Sequence, residues 1–266
     1  VSGSTVAPEP GGAAAAFARF YDLDLAADDP DDLDLYLALA GRTGGPVLEL
    51  AAGTGRIAVP LALAGHRVTG VDLDPAMLAR ARAAAEAAGV AGRIALVEAD
   101  IVGLALPDAG TYRLAILALN SLFLLAAPGA QAAALRAMAS HLAPGGVAVV
   151  DVWIPTPADL AAYDGRLLLD GVREDPASGR LVAKSWAATH DAATGTVTLT
   201  TIYDEWHPGE PAVRWVRRDA MRLVAPGELR LLAEAAGLEV ELVAGDHDLA
   251  PLGAGGDRAV LVARRP

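Results

Sequence analysis

The chain has 266 residues, of which 53% are apolar and 20% charged, enough for one large domain, or a domain with an insert, around a real core. Its 33 acidic and 21 basic side chains leave a formal charge of −12, which argues against nucleic acid and anionic membrane as partners. The absence of cysteine excludes disulfides, thiolate catalysis and cysteine-ligated metal, and fits a cytoplasmic protein.

Residues 1–16 carry no basic segment and too short an alanine patch for a signal core, so they read as a flexible tail. Residues 17–45 form an expected helical cap. In it Asp29 is the expected N-cap, Pro30 the first helical residue, and Asp31 and Asp32 face the positive end of the helix dipole. Leu33, Leu37 and Ala40 then share one helical face, and Gly41 stops the helix.

From residue 46 strand and helix patterns alternate. Apolar strand runs are expected at Pro46–Ala51, Arg67–Val71, Arg93–Glu98, Tyr112–Leu119 and Val147–Trp153, with helices at Arg56–Ala64, Ala76–Ala88 and Ala130–His141. The second helix shows its own caps, with Asp74 before Pro75 and Gly89 at its end. Such repetition implies a parallel sheet with helices on both faces. The long apolar run Leu114–Ala127 is broken by Asn120 and Ser121 and is too short to span a bilayer.

After residue 165 the rhythm switches to period two. "RLVAKSWAATH", "TVTLTTIYDEWH" and "AVRWVRRDAMRLVA", separated by "DAATG" and "PGEP", predict an antiparallel insert of roughly three strands across residues 165–224. A helix closed by Gly237 and two strands, Leu238–Val243 and Asp257–Ala263, complete residues 225–266. These join residues 46–164 in one domain.

The first strand runs into Ala51-Ala52-Gly53-Thr54-Gly55, a small-residue turn before a helix, where backbone amides favour a negative group. No lysine follows the glycines, so it is not a Walker loop, and the spacing does not fit a dinucleotide fingerprint. Glu49 lies in the apolar strand just before the turn, and a buried carboxylate needs a partner that a ligand ammonium would supply. Asp72 closes the second strand, where an acid accepts bonds from ribose hydroxyls, and Asp100 closes the third, where it can accept from an exocyclic amine. Ammonium, ribose and adenine together describe S-adenosylmethionine.

The segment Glu49 to Gly55 resembles the first motif of class I S-adenosylmethionine-dependent methyltransferases, E/D-x-G-x-G-x-G, with Ala51 in place of the first glycine. "VTGVDLDPAML", "VEADI", "LAILALNSLFLL", "HLAPGGVAVVDV" and the terminal helix and hairpin follow as further landmarks of that family. The resemblance implies an α/β, Rossmann-like, doubly wound seven-stranded sheet of order 3-2-1-4-5-7-6 with strand 7 antiparallel, carrying an antiparallel β insert.

It also implies roles. Glu49 approaches the methionine ammonium, and the backbone of Ala51, Gly53, Thr54 and Gly55 lies beside the amino-acid portion. Asp72 takes the ribose, Leu73 and Met77 cover the adenine, and Asp100 and Ile101 bind its edge. Leu119 and Asn120 lie beneath the sulfonium, and Tyr21 reaches the cofactor carboxylate. Three of these have equally weighted structural readings: Met77 as core, Asn120 as a cap on strand-end amides, and Tyr21 as an aromatic closing the lid. Leu124 stands where many relatives have a histidine, so no catalytic base is assigned.

The insert is expected to select the acceptor, offering His190, Tyr203, Trp206, His207 and Arg214, with Tyr203 and Trp206 on opposite faces. His190 is expected to face solvent. "GDHDL" places His247 between two acids, read as a solvated loop and not as a metal site. The expected function is methyl transfer from S-adenosylmethionine to a nitrogen or oxygen of a small molecule. The alternatives are a non-catalytic cofactor-binding module whose insert makes a homodimer face, and a nicotinamide-dependent reductase.

Overall fold

A computed structural model describes residues 12–28, 30–253 and 256–266. Its centre is a seven-stranded sheet of β1 (Val47–Leu50), β2 (Val68–Asp72), β3 (Ile94–Glu98), β4 (Tyr112–Leu117), β5 (Leu142–Trp153), β10 (Glu239–Ala244) and β11 (Arg258–Arg264). The order is β3-β2-β1-β4-β5-β11-β10, and β11 runs antiparallel to both neighbours. This is the arrangement expected from the resemblance.

Strand alternation divides the core between two faces. Val47, Leu114, Ile116 and Val149 pack with α2 (Leu33–Thr43) and α3 (Ala58–Leu63) on one face. Leu48, Leu50, Leu117 and Val150 pack with α5 (Pro128–His141) and α7 (Pro226–Ala235) on the other. Between them, α4 (Pro75–Ala87) starts as its sequence dictates: the Asp74 carboxylate accepts from Ala76 N–H at 2.8 Å and Pro75 follows.

The Pro144-Gly145-Gly146 segment lies inside β5, at a register shift against β4, and not before the strand as expected. A Cβ on Gly146 would stand 2.9 Å from the carbonyl oxygens of both Ala143 and Tyr112, so the irregularity requires glycine there.

The cap differs more. Helix α1 (Gly12–Ala27) begins within the segment expected as a tail, the rest of which lies outside the described residues, as does Asp29 with its expected N-cap role. The following helix starts at Leu33, not Pro30, because Asp31 takes φ +50° and the buried Asp32 turns away to the half-buried guanidinium of Arg56. It buries Leu35, Tyr36, Leu39 and Ala40, of which only Ala40 belongs to the expected face, and runs past Gly41 to Thr43.

The insert is a separate antiparallel sheet of four strands, not three: β6 (Leu168–Asp175), β7 (Arg180–Asp191), β8 (Thr196–Trp206) and β9 (Val213–Arg222), in that order. The extra strand escaped the sequence because it is an edge strand with a register shift at Asp170, uniformly exposed before the shift and alternating only after it. A short helix, α6 (Pro157–Ala162), precedes it, with Thr156 and Asp159 forming a capping box. Among the described residues no helix is long and apolar enough to cross a membrane.

Candidate active site

The carboxyl ends of β3, β2, β1 and β4 lie side by side, so the expected ligand residues share one edge of the sheet. The turn after β1 is built from left-handed backbone. Ala51 has φ +55°, Gly53 +54° and Gly55 +85°. At Gly55 a Cβ would press to 3.2 Å from the Ala81 Cβ of α4, so glycine lets the turn sit against that helix. Ala51 holds a conformation that glycine adopts without strain, which explains why the related motif has glycine there. Thr54 is buried.

Asp72 latches this turn. One carboxylate oxygen accepts from Gly53 N–H at 2.8 Å and the other from Asp74 N–H at 2.9 Å. Each oxygen keeps a further lone pair, so the acid that closes β2 both shapes the turn and can accept a ligand hydroxyl.

Glu49 is 3% exposed, and its Oε2 has no hydrogen-bond partner. Burial pushes its carboxyl up to about 8, against the opposing effects of the Arg56 charge and a hydrogen bond from Ala58 N–H. An orphaned acidic oxygen beside a glycine turn fits a ligand that brings an ammonium. Tyr21, on α1, stands over the turn, its ring 3.7 Å from where a Gly53 Cβ would be. Burial raises its phenol.

Asp100 is exposed, and its Oδ1 accepts from Val102 N–H at 2.8 Å, which orders the loop after β3. Ile101 is buried in the core, Met77 is half-buried in the first turn of α4, and Leu73 is 67% exposed, an apolar side chain open at the sheet edge. At the end of β4, Leu119 and Asn120 both take positive φ, +47° and +63°. The Asn120 side-chain oxygen accepts from Trp153 N–H at 2.6 Å, so this residue does cap a strand-end amide. Leu124 is exposed in the turn that follows.

Beside this edge lies a cavity of about 350 Å³ between α1 and the inner face of the insert, and Tyr21 belongs to its wall as well as to the glycine turn. Of the insert residues expected to face the acceptor, Tyr203 lines the cavity. Trp206 and Arg214 lie on the opposite face, and Arg214 pairs with Asp204. His190 is half-buried rather than fully in solvent. Lys184, Trp186, Thr201, Arg217 and, before the insert, Tyr163 also line the cavity. Period-two parity from Tyr203, carried through the strand register, would have found the strand residues among them.

Helix α1 binds both sides of this cavity. Arg19 bridges the buried Asp175 and Glu205 of the insert, the latter at 2.6 Å. Asp24 accepts from Tyr203 Oη at 2.7 Å and pairs with Lys184 at 2.8 Å, while Phe20 stacks on Tyr203 at 4.4 Å. Toward the core, Asp22 pairs with Arg80 of α4.

A second polar cluster corrects the reading of His247, which is not in a solvated loop. Its Nε2 lies 3.3 Å from Asp151, a fully buried acid on β5. Burial alone would raise Asp151, but hydrogen bonds from His247 and Arg258 hold it below the usual carboxylate range. Ligand atoms of Asp32, Asp151 and His247 converge within 4.8 Å, yet Asp32 is already paired with Arg56 and Asp151 with Arg258. A cation there would face two guanidiniums, so the cluster serves as a structural tie between cap and sheet.

With this geometry in place, the comparisons with known proteins are direct. A methyltransferase domain family matches residues 47–146, the span from β1 to the glycines of β5. An uncharacterized protein of Mycobacterium tuberculosis is 51% identical over 49 residues, which is 18% of this chain and 18% of that protein's length. The cypemycin N-terminal methyltransferase of a Streptomyces species is 30% identical over 222 residues, 79% of this chain and 77% of that protein. The solved structure of the CcbJ methyltransferase from Streptomyces caelestis superposes with a TM-score of 0.75 at 27% identity, covering 89% of this chain and 90% of that one. Sheet order, glycine turn, acidic strand ends and these relatives agree: the chain belongs to the class I S-adenosylmethionine-dependent methyltransferases.

Proposed function

We propose that the chain methylates a nitrogen on a small molecule held between α1 and the inner face of the insert. The observation that carries this reading is the cavity of about 350 Å³ that shares Tyr21 with the glycine turn, so donor and acceptor compartments meet at one side chain. S-adenosylmethionine supplies a methyl group already activated by its sulfonium. The chain's own part is then alignment and exclusion of water.

In this reading Glu49 receives the donor ammonium, and the backbone of Ala51, Gly53, Thr54 and Gly55 flanks its amino-acid end. Asp72 takes the ribose hydroxyls. Asp100 and Ile101 hold the adenine edge while Leu73 and Met77 cover its face. Four strands spaced about 4.8 Å apart make an edge of roughly 14 Å, the scale of such a nucleoside. Leu119 and Asn120, in strained backbone, hold the floor beneath the reacting carbon. Tyr21 closes the compartment from above.

Nitrogen is favoured over oxygen by the cavity's own side chains. Among the described residues no histidine lines it, and Asp24 and Lys184 are tied up in interactions with each other and with neighbouring groups. An amine that arrives deprotonated needs no base, whereas a hydroxyl does. The relative named as an N-terminal methyltransferase supports the same choice. Family membership sets aside the nicotinamide reading.

The test is product detection by mass spectrometry across panels of small amines, phenols and carboxylates, with calorimetry of S-adenosylhomocysteine binding alongside. Methylated amines are expected. Methylation confined to phenols or carboxylates overturns the nitrogen assignment, and tight S-adenosylhomocysteine binding without any transfer supports a non-catalytic module instead.

A further inference from the structure

The inner face of the insert is ordered by register into rows that cross three strands. Lys184 lies opposite Tyr203, and Tyr203 opposite Trp215; the next row is Trp186, Thr201 and Arg217; then Ala188, Leu199 and Asp219. At the end nearest α1 every charge is answered. Lys184 pairs with Asp24 at 2.8 Å and approaches Asp170 at 3.6 Å, and Asp24 also accepts from the Tyr203 hydroxyl.

Arg217 differs from these. Its Nε donates to Asp219 Oδ1 at 2.9 Å, and among the described residues neither Nη group has a hydrogen-bond or ion-pair partner, on a side chain 40% exposed in the cavity wall. Asp219 fixes the guanidinium by one edge and leaves its two-pronged end presented, a shape that matches a carboxylate or phosphate. Two strand spacings away, roughly 10 Å across the row, stands Trp186. Tyr163 holds that indole edge-on at 6.1 Å and 89°. An indole fixed in this way is a flat wall for a ring.

We propose that Arg217 makes this cavity select acceptors that carry an anionic group, a carboxylate or a phosphate ester, with the ring or body of the acceptor lying against Trp186. This rests on the reading of the cavity as the acceptor site. The net charge of −12 works against the approach of an anion, so recognition of one needs a local cation such as this guanidinium.

The experiment titrates full-length protein by calorimetry, with and without saturating S-adenosylhomocysteine, using three probes of one shape: 4-(aminomethyl)benzoate, 4-(aminomethyl)phenyl phosphate and 4-(aminomethyl)benzamide. The heat of S-adenosylhomocysteine binding tests the donor reading by itself, and the ranking of probes tests this one. At least one anion is expected to bind roughly tenfold or more tightly than the neutral amide, and which anion wins separates carboxylate from phosphate. Arg217→Gln is expected to remove that preference while leaving the amide's affinity within about twofold, and Arg217→Lys, which keeps charge but loses the fork, to fall between. Arg214→Gln, on the outer face, is expected to leave the ranking unchanged. An amide that binds as well as both anions, no measurable binding of either anion, or a preference that survives Arg217→Gln overturns the proposal.

Discussion

The seven-stranded sheet and the insert solve the burial of charge in opposite ways. At the carboxyl ends of β1 and β2, acids stand without an ion pair. Glu49 keeps an unpartnered oxygen, and Asp72 spends its carboxylate on two backbone N–H groups of the turns it shapes. Between the insert and α1, acids are met by cations from the opposite element, as Asp175 and Glu205 of the insert are by Arg19, and Asp24 of α1 by Lys184. A site that must receive a cationic donor keeps negative charge uncommitted, whereas a sheet that docks onto a helix uses its charge as glue. The difference identifies which acids are for ligands and which are for assembly.

That contrast can be broken most forcefully at Arg19. Arg19→Ala leaves two buried carboxylates without a cation, and a loss of about 3 kcal/mol of folding free energy is expected in urea denaturation. A loss below 1 kcal/mol, about what an exposed pair contributes, would mean that the bracket is cosmetic.

On the sheet side, Asp72→Ala unlatches Gly53 and Asp74 together and also removes the proposed ribose acceptor. Two charge-assisted bonds of this kind suggest a weakening of S-adenosylhomocysteine affinity by roughly 100-fold. Calorimetry giving undiminished affinity would sink the donor site as drawn.

Glu49 sharpens the comparison through pH. Because its folded carboxyl is raised to about 8, its stabilising contribution is fully present below the ordinary carboxylate range and is lost as pH rises through about 8. Glu49→Gln mimics the protonated form. Wild type and variant are therefore expected to match near pH 4, and wild type to fall behind by on the order of 1 kcal/mol per pH unit up to about 8. Parallel stability curves across that window would show that the group is ionised and satisfied throughout.

The smallest effect is at Ala51. Its left-handed backbone predicts that Ala51→Gly stabilises the fold by about 1 kcal/mol, seen as a rise of a few degrees in Tm. An unchanged or lowered Tm would show that the surroundings already absorb the strain.

The same contrast governs what could be read from the chain. The parallel strands are short apolar runs that end in or near an acid, so the strands were legible from the chain, and the sheet order followed from the family resemblance of the ordered motifs. The edge strand β6 was not, since its alternation is confined to the half after Asp170 and is carried by few apolar residues. The start of α2 was hidden for another reason. Asp32 behaves as a cap by local rules, but Arg56, 24 residues away, claims it. Likewise His247 acquires its role from Asp151, 96 residues earlier in the chain, a partnership no local pattern announces. The acceptor wall was half legible: Tyr203 was named, while Trp186 and Arg217 needed the register between strands.

Helix α1 presses Tyr21 onto the glycine turn while Phe20 and Asp24 grip the insert. One element is therefore common property of two compartments, and any redesign of it would disturb both. New acceptor preferences are better sought by repainting the inward side chains of β7 to β9, which leaves the donor's seat undisturbed.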